Sequence, residues 1–348
     1  MKSGYRRMRA SSKQSIRTPI KNIWGITIGL LVILVALFFL SLSLGASSFQ
    51  LKETWGYLLY GEGEAVIGNI VRLIRVPRSV GAVLCGSGLA VAGMLLQSAL
   101  NNSLAAPGTI GVNSGAGFLV VAAAIFFPGS FMAKTVFAFI GALLAALLVF
   151  MIARKTEGSR SKIILTGVAV SSLLSAGSDT LVTLYPDSVM DRTSFFIGGF
   201  AHTQGRVLIY VWPLIIVSLL VAWLLGKQMN VLSLGDEMAE SLGLHTKRFR
   251  FLLLFLAALL AGASACIGGL LGFVGLVVPH IVRMVIGTDH RRLIPLTALA
   301  GSVLVLGCDL LARVLFRPFE LPVGILLSFL GAPFFLFLIL KHKRRVEQ

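Results

Sequence analysis

Charge is scarce in this chain of 348 residues, and negative charge is scarcer still: Asp, Glu, Lys and Arg together make 13%, with 14 acidic residues against 31 basic ones. With 56% hydrophobic residues and a mean hydropathy of +0.90, so little charge excludes a soluble globular domain and defines a polytopic membrane protein. Cysteine is nearly absent too. Cys85, Cys266 and Cys308 are odd in number, scattered through apolar segments and never arranged as CxxC, which indicates neither a disulfide framework nor a zinc site and leaves them as small buried side chains. The five histidines sit on separate segments without an HExxH pair; His280, after Pro279, and His290, after Asp289, read as caps of helix ends near the interface. No G-x-x-x-x-G-K-[ST] phosphate loop occurs, since the nearest Gly-Lys, Gly226-Lys227, is followed by Gln228 and lacks the upstream glycine. G-x-S-x-G and a spaced Ser/His/Asp set are missing as well. The expectation is a protein that is not an enzyme, with no cofactor and no metal.

What is present is a series of apolar runs. A bilayer core takes about twenty helical residues to cross, and ten runs qualify as an all-α bundle: Ile23 to Leu44, Arg78 to Leu100, Thr109 to Phe127, Met132 to Ala153, Ile163 to Tyr185, Val207 to Leu225, Phe249 to Leu271, Gly272 to Gly287, Leu293 to Phe316 and Pro322 to Leu340. They form one transmembrane domain over 23–341, between a basic tail (1–22) and a short C-terminal tail (342–348). The first run lacks a small-residue cleavage site and is expected to be retained. The formal charge of +17 lies in short clusters between spans and not on one folded face, which argues for topology and against nucleic acid. With the N-terminus inside, 22 of the 31 Lys and Arg fall on the inner side; the positive-inside rule then puts both termini of a multi-pass cell-membrane protein in the cytoplasm.

Small residues recur at helix-packing intervals, as at Gly81, Gly86, Gly88 and Gly93 and again at Gly262, Gly268, Gly269 and Gly272. LCGSGLAVAG from Leu84 and LAGASACIGG from Leu260 match at the leucine and two glycines in oppositely directed spans, as in an inverted repeat. Between Gly226 and Arg250 the apolar pattern gives way to a polar island, GKQMNVLSLGDEMAESLGLHTKRFR. There Asp236 can cap a helix, Glu237 and Glu240 suit its first turn, and Gly243 supplies a left-handed stop. A helix of two turns is marginal in water, so it is expected to pack on the chain or a partner. Two carboxylates lie inside spans, where they are functional candidates by default. Asp309 has Arg313 one turn later; Asp179 has no partner nearby in sequence and is either a pathway group or a helix-packing hydrogen bonder.

Four long segments in order resemble the binding-protein-dependent ABC importer permeases for iron-siderophores, haem and vitamin B12, the FecCD family: RLIRVPRSVGAVLCGSGLAVAGMLLQSALNNSLAAPGTIGVNSGAG, LGDEMAESLGL, GFVGLVVPHIVRMVIGTDHRRLIPLTALAG, and CDLLARVLF followed by ELPVGILLSFLGAPFFLFLIL. The resemblance covers nearly all of the chain after Val71. It implies a fold like that of the vitamin B12 importer permease with about ten spans, a second permease subunit (the same or a paralogous chain), two separate ATP-binding cassette ATPases and an extracytoplasmic substrate-binding protein. By the same resemblance the island forms the coupling helices, with Asp236, Glu237, Ala239, Glu240 and Gly243 at the ATPase and Glu237, Ala239 and Gly243 matching an E-x-A-x-x-x-G core; the downstream I-x-L-P is missing. Arg75, Arg78 and Arg313 fall where the family presents arginines to acidic residues of the binding protein. Asn102, Leu104 and Ser161 match the cytoplasmic gate, with Asn102-Ser103 in place of the family's Asn-Pro.

Two readings compete with an ATP-driven importer: a secondary carrier that binds its coupling proton at Asp179, and a membrane scaffold with no pathway. The long island and the missing nucleotide motif favour the importer, since a permease driven by a separate engine needs a surface for it. Iron(III)-siderophore is the substrate the resemblance favours, with haem and cobalamin as alternatives.

Overall fold

In the computed structural model, which describes residues 23–45, 65–155, 160–316 and 319–346, all regular elements are helical. The bilayer interior offers no water to a backbone N–H or C=O, so a chain this apolar satisfies those groups within each segment. The helices are α1 (Ile23–Ser43), α2 (Ala65–Ile70), α3 (Val76–Leu100), α4 (Val112–Phe126), α5 (Phe131–Lys155), α6 (Arg160–Leu184), α7 (Val189–Ile197), α8 (Gly205–Leu224), α9 (Gly226–Leu232), α10 (Asp236–Ser241), α11 (Thr246–Gly268), α12 (Val274–Ile286), α13 (His290–Val314) and α14 (Val323–Val346).

Each of the ten expected spans is a helix, with ends shifted by a few residues. Among the described residues seven helices are long and apolar enough to cross a membrane: α1, the run Gly68–Leu100, α5, α6, α8, α11 and α13. At 1.5 Å per residue α4 and α12 reach only about 20 Å, short of the ~30 Å hydrocarbon core. The eighth expected span, Gly272 to Gly287, therefore resolves into a 13-residue helix entered through a left-handed Phe273, φ 64°. The fourteenth helix runs to Val346, so most of the expected C-terminal tail continues it, whereas the expected tail 1–22 lies outside the described residues. Helix α7 was not expected; nine residues between two spans are too few to read as a span.

Helices α3, α11 and α13 form the buried centre, while α1, α6 and α8 lie at the periphery. Lipid tails are as apolar as leucine, so helix association here depends on close packing more than on the hydrophobic effect. Glycine permits that closeness: a Cβ added at Gly86 would overlap the Gly301 carbonyl on α13, and one at Gly93 the Gly275 carbonyl on α12. Ahead of α3 the backbone widens into a π turn over Val71–Arg75. Pro77 has no N–H to give the Leu73 carbonyl and its ring crowds that carbonyl, which accounts for the wider turn. The turn brings Arg75 and Arg78 into the protein.

Candidate functional site

The polar island folds into two short helices, α9 and α10, against the ends of α3, α11 and α13. Gly235, at φ 104°, occupies the N-cap of α10, so the cap expected from Asp236 is corrected. Asp236 is the first helical residue, and both its oxygens accept from Arg250 Nη2 at 2.9 Å. The stop is as the sequence suggested. Gly243 has φ 85°, its N–H donates to the Glu240 carbonyl at 2.9 Å, and the Leu244 N–H donates to the Ala239 carbonyl at 3.0 Å, a Schellman closure. Ala239 is buried, whereas Glu237 and Glu240 are exposed. Leu234, Met238 and Leu242, before, within and after α10, stand 61%, 55% and 61% exposed. Exposed apolar side chains on an otherwise polar protrusion are the pattern of a protein-binding site.

At the opposite end of the bundle the arginines expected to face outward are turned inward. Arg78 is 6% exposed; its Nε and Nη2 donate to Asp309 at 3.0–3.2 Å, and its Nη1 meets Glu320 at 2.6 Å. Arg313, 2% exposed, pairs with Asp309 at 3.0 Å and donates to the Ser41 hydroxyl at 2.5 Å. Arg75, 4% exposed, donates to the carbonyls of Leu42 and Ser43, both at 2.8 Å, at the end of α1. The Asp309–Arg313 pair foreseen from sequence is present, but Arg78 joins it. A carboxylate and two guanidiniums taken out of water need one another, so this cluster ties α1, α3 and α13 together and presents no free arginine to a partner in this conformation.

Helix α6 carries the third arrangement. Ser161, Leu165, Val168, Ser172, Ala176, Asp179 and Thr183 share one face at helical spacing, and all are exposed. Asp179, which has no partner nearby in sequence, finds one through the fold: Arg192, on α7, meets it at 2.6 Å and also lies over the Phe196 ring. At the other end of the face, α3 stops with Asn101 in the left-handed conformation, φ 45°, and Asn102 Oδ1 accepts from the Leu104 N–H at 2.9 Å. Leu104 is 51% exposed. The loop then packs on α6 where a Cβ at Gly167 would overlap the Thr109 carbonyl, which brings the Asn102–Leu104 loop and the Ser161 end of α6 to the same side of the bundle.

Sequence reading missed Arg192, Arg250, Glu320 and the Leu234–Met238–Leu242 stripe. The stripe had a signal, apolar residues at four-residue intervals inside a polar island; the others are charges whose partners only the fold brings near. Among the described residues no group of three or more His, Cys, Asp or Glu could hold a metal ion.

A helical bundle of membrane-crossing length, with polar side chains along one exposed helix face and two short helices at one end, fits a transport permease. Residues 33–341 match the FecCD transport family, and the chain belongs to it. It is 37% identical over 323 residues to the hemin transport system permease protein HmuU of Yersinia pestis, covering 91% of this chain and 95% of that one. It is 34% identical to the iron(3+)-hydroxamate import system permease protein FhuB of Bacillus subtilis, over 96% and 90% of the two chains, and 36% identical to the vitamin B12 import system permease protein BtuC of Vibrio cholerae, over 82% and 89%. A solved inward-facing conformation of a chain assigned to the metal-chelate type of ABC transporter superposes with a TM-score of 0.81 at 30% identity, covering 91% of this chain and 99% of the other. The protein is an ABC importer permease of this type.

Proposed function

We propose that the chain forms the translocation pathway of a binding-protein-dependent importer for iron(III)-siderophores, as one of two permease subunits driven by separate ATPases. The observation that carries this is the exposed face of α6. Ser161, Ser172, Asp179 and Thr183 run along a helix long enough to cross the membrane. Polar and ionisable side chains on a membrane-spanning helix are disfavoured against lipid, which supports placing this face against water, a second permease subunit, or both. Two subunits with these faces apposed enclose a polar path whose cytoplasmic end is bounded by the Asn102–Leu104 loop and Ser161. The ATPase docks on α9 and α10, burying Leu234, Met238 and Leu242, with Glu237, Glu240 and Gly243 shaping the contact. The distribution of Lys and Arg supports both termini on the cytoplasmic side. The siderophore assignment draws on relatives named for iron(3+)-hydroxamate and citrate import; haem and cobalamin are the alternatives.

Asp179 is charge-compensated by Arg192, which suits a pathway mouth better than a lone proton carrier. The test is uptake of radiolabelled ferric hydroxamate, haem and cobalamin by vesicles holding the full transporter. Uptake of the ferric hydroxamate is expected to survive an uncoupler at constant ATP, to stop with vanadate, and to persist in Asp179→Asn. Loss under the uncoupler alone would replace the importer with a proton-coupled carrier.

A further inference from the structure

The last turn of α3 is held by both helices of the polar island through buried side chains. From α10, Asp236 takes Arg250 Nη2 at 2.9 Å, and the Nε of the same guanidinium donates to the Ala99 carbonyl at 2.7 Å; Arg250 is only 6% exposed. From α9, Asn230 Oδ1 accepts the His290 backbone N–H at 2.9 Å and faces His290 Nδ1 at 2.8 Å, while His290 Nε2 meets the Ser98 hydroxyl at 2.9 Å. Because an amide oxygen can only accept, Nδ1 carries the proton and Ser98 donates to Nε2. Ser98 and Ala99 lie in the last turn before Asn101, whose left-handed conformation starts the Asn102–Leu104 loop. A helix end has carbonyls without intrahelical partners and favours a cation, and Arg250 meets both needs at Ala99.

We propose that Arg250 and His290 are positioning residues, two struts that convert displacement of the docking helices α10 and α9 into displacement of the α3 terminus and so of the Asn102–Leu104 loop. This rests on the importer reading. A strut must resist both push and pull, and the two differ in how they do so. Arg250 grips both carboxylate oxygens of Asp236 through Nη2 while its Nε holds the helix carbonyl, a bridge whose fixed planar fork lysine cannot reproduce. His290 is a rigid ring clamped at both nitrogens. Asn230 is also pinned from the far side, donating Nδ2–H to Asp289 Oδ1 at 2.8 Å. Both struts end within one turn of the same helix, so movement of either docking helix reaches the loop, and movement of both together moves it without bending α3.

The test uses the complete transporter in liposomes, with an environment-sensitive bimane on Ser103→Cys in the exposed part of the loop; the native cysteines are buried and stay unlabelled. Trapping with ATP and vanadate is expected to shift the bimane emission. Arg250→Leu, Arg250→Lys and Asp236→Asn are expected to diminish that shift and to lower substrate moved per ATP hydrolysed, by about threefold to thirtyfold, the range typical of residues that carry coupling. Because Asp236 acts through Arg250, Asp236→Asn in the Arg250→Leu background adds little, whereas His290→Ala adds its own loss. Asp236 is 42% exposed at its side chain, so its variant keeps the test open if Arg250→Leu fails to fold. A normal emission shift and normal stoichiometry in folded Asp236→Asn, or full recovery by Arg250→Lys, would overturn the struts alone. A wild-type transporter whose uptake ignores ATP would instead remove the importer reading and the struts with it.

Discussion

Replacing Asp309 by Asn isolates the worth of the buried cluster. Asp309 is fully buried, with Arg78 at 3.0 Å on one oxygen and Arg313 at 3.0 Å on the other. Asparagine keeps the volume and one acceptor but removes the charge and turns an NH2 toward a guanidinium. Breaking a buried pair from one side costs about 3–5 kcal/mol, and here two arginines lose their main counter-ion together. Glu320 serves as the internal control. It touches the same Arg78 at 2.6 Å, yet its side chain is 32% exposed, so water already shares its charge and Glu320→Gln should cost no more than about 1 kcal/mol. Reversible unfolding of the reconstituted permease by SDS in mixed micelles reads both values. Asp309→Asn should raise the unfolding constant by a factor of at least about a hundred, and Glu320→Gln by less than about ten. Raising salt should narrow the difference little, because buried pairs are screened far less than exposed ones. Equal costs for the two substitutions, or less than about 1 kcal/mol for Asp309→Asn, would mean that water reaches the cluster and that its arginines are available to a partner after all.

Two further outcomes test other parts of the molecule. Gly243→Pro removes the N–H given to the Glu240 carbonyl and cannot adopt φ 85°, a loss of about 3 kcal/mol in a six-residue helix; ATP-driven uptake should fall at least tenfold while the span bundle remains folded by size-exclusion chromatography, and Glu237→Lys with Glu240→Lys should do likewise by opposing the helix dipole. Gly93→Val, whose side chain would collide with the Gly275 carbonyl, should abolish membrane yield, whereas Gly29→Val on α1, with nothing within 4 Å, should express like wild type; comparable yields would refute the close crossing of α3 and α12.

The ten apolar segments were legible because hydrophobic length is a property of sequence alone, and so was the Gly243 stop, where one residue type meets one backbone requirement. The entry to α12 was less so. Nothing in GGLLGFVG says that the chain stays non-helical up to a left-handed Phe273, since that conformation depends on the ring packing against Gly331 in α14. Helix α7 was lost for a related reason: its nine residues are held by tertiary contacts, the Phe196 ring against Gly117 of α4 and Arg192 on Asp179 of α6.

Three arginines expected to face outward are buried, and the cause is physical. Arginine has one charge but two habits. It can reach out from an interface, or fold inward when carboxylates and carbonyls wait there; the choice depends on groups dozens to hundreds of residues away. Arg78 meets Asp309 across 231 positions, and Arg75 meets Ser43 across 32. Burial then separates the functions. Around Asp309, guanidiniums that are nearly sealed from water hold three helices in register. At the other end of the bundle Arg250 is just as deeply buried, but its partner Asp236 sits half in water on a helix only six residues long. A buried cation gripping a half-exposed carboxylate on a short helix can pass that helix's movement on, whereas a buried cation gripping a buried carboxylate holds its helices in place. On the importer reading proposed above a permease uses both, and this bundle has the first at Asp236 and the second at Asp309.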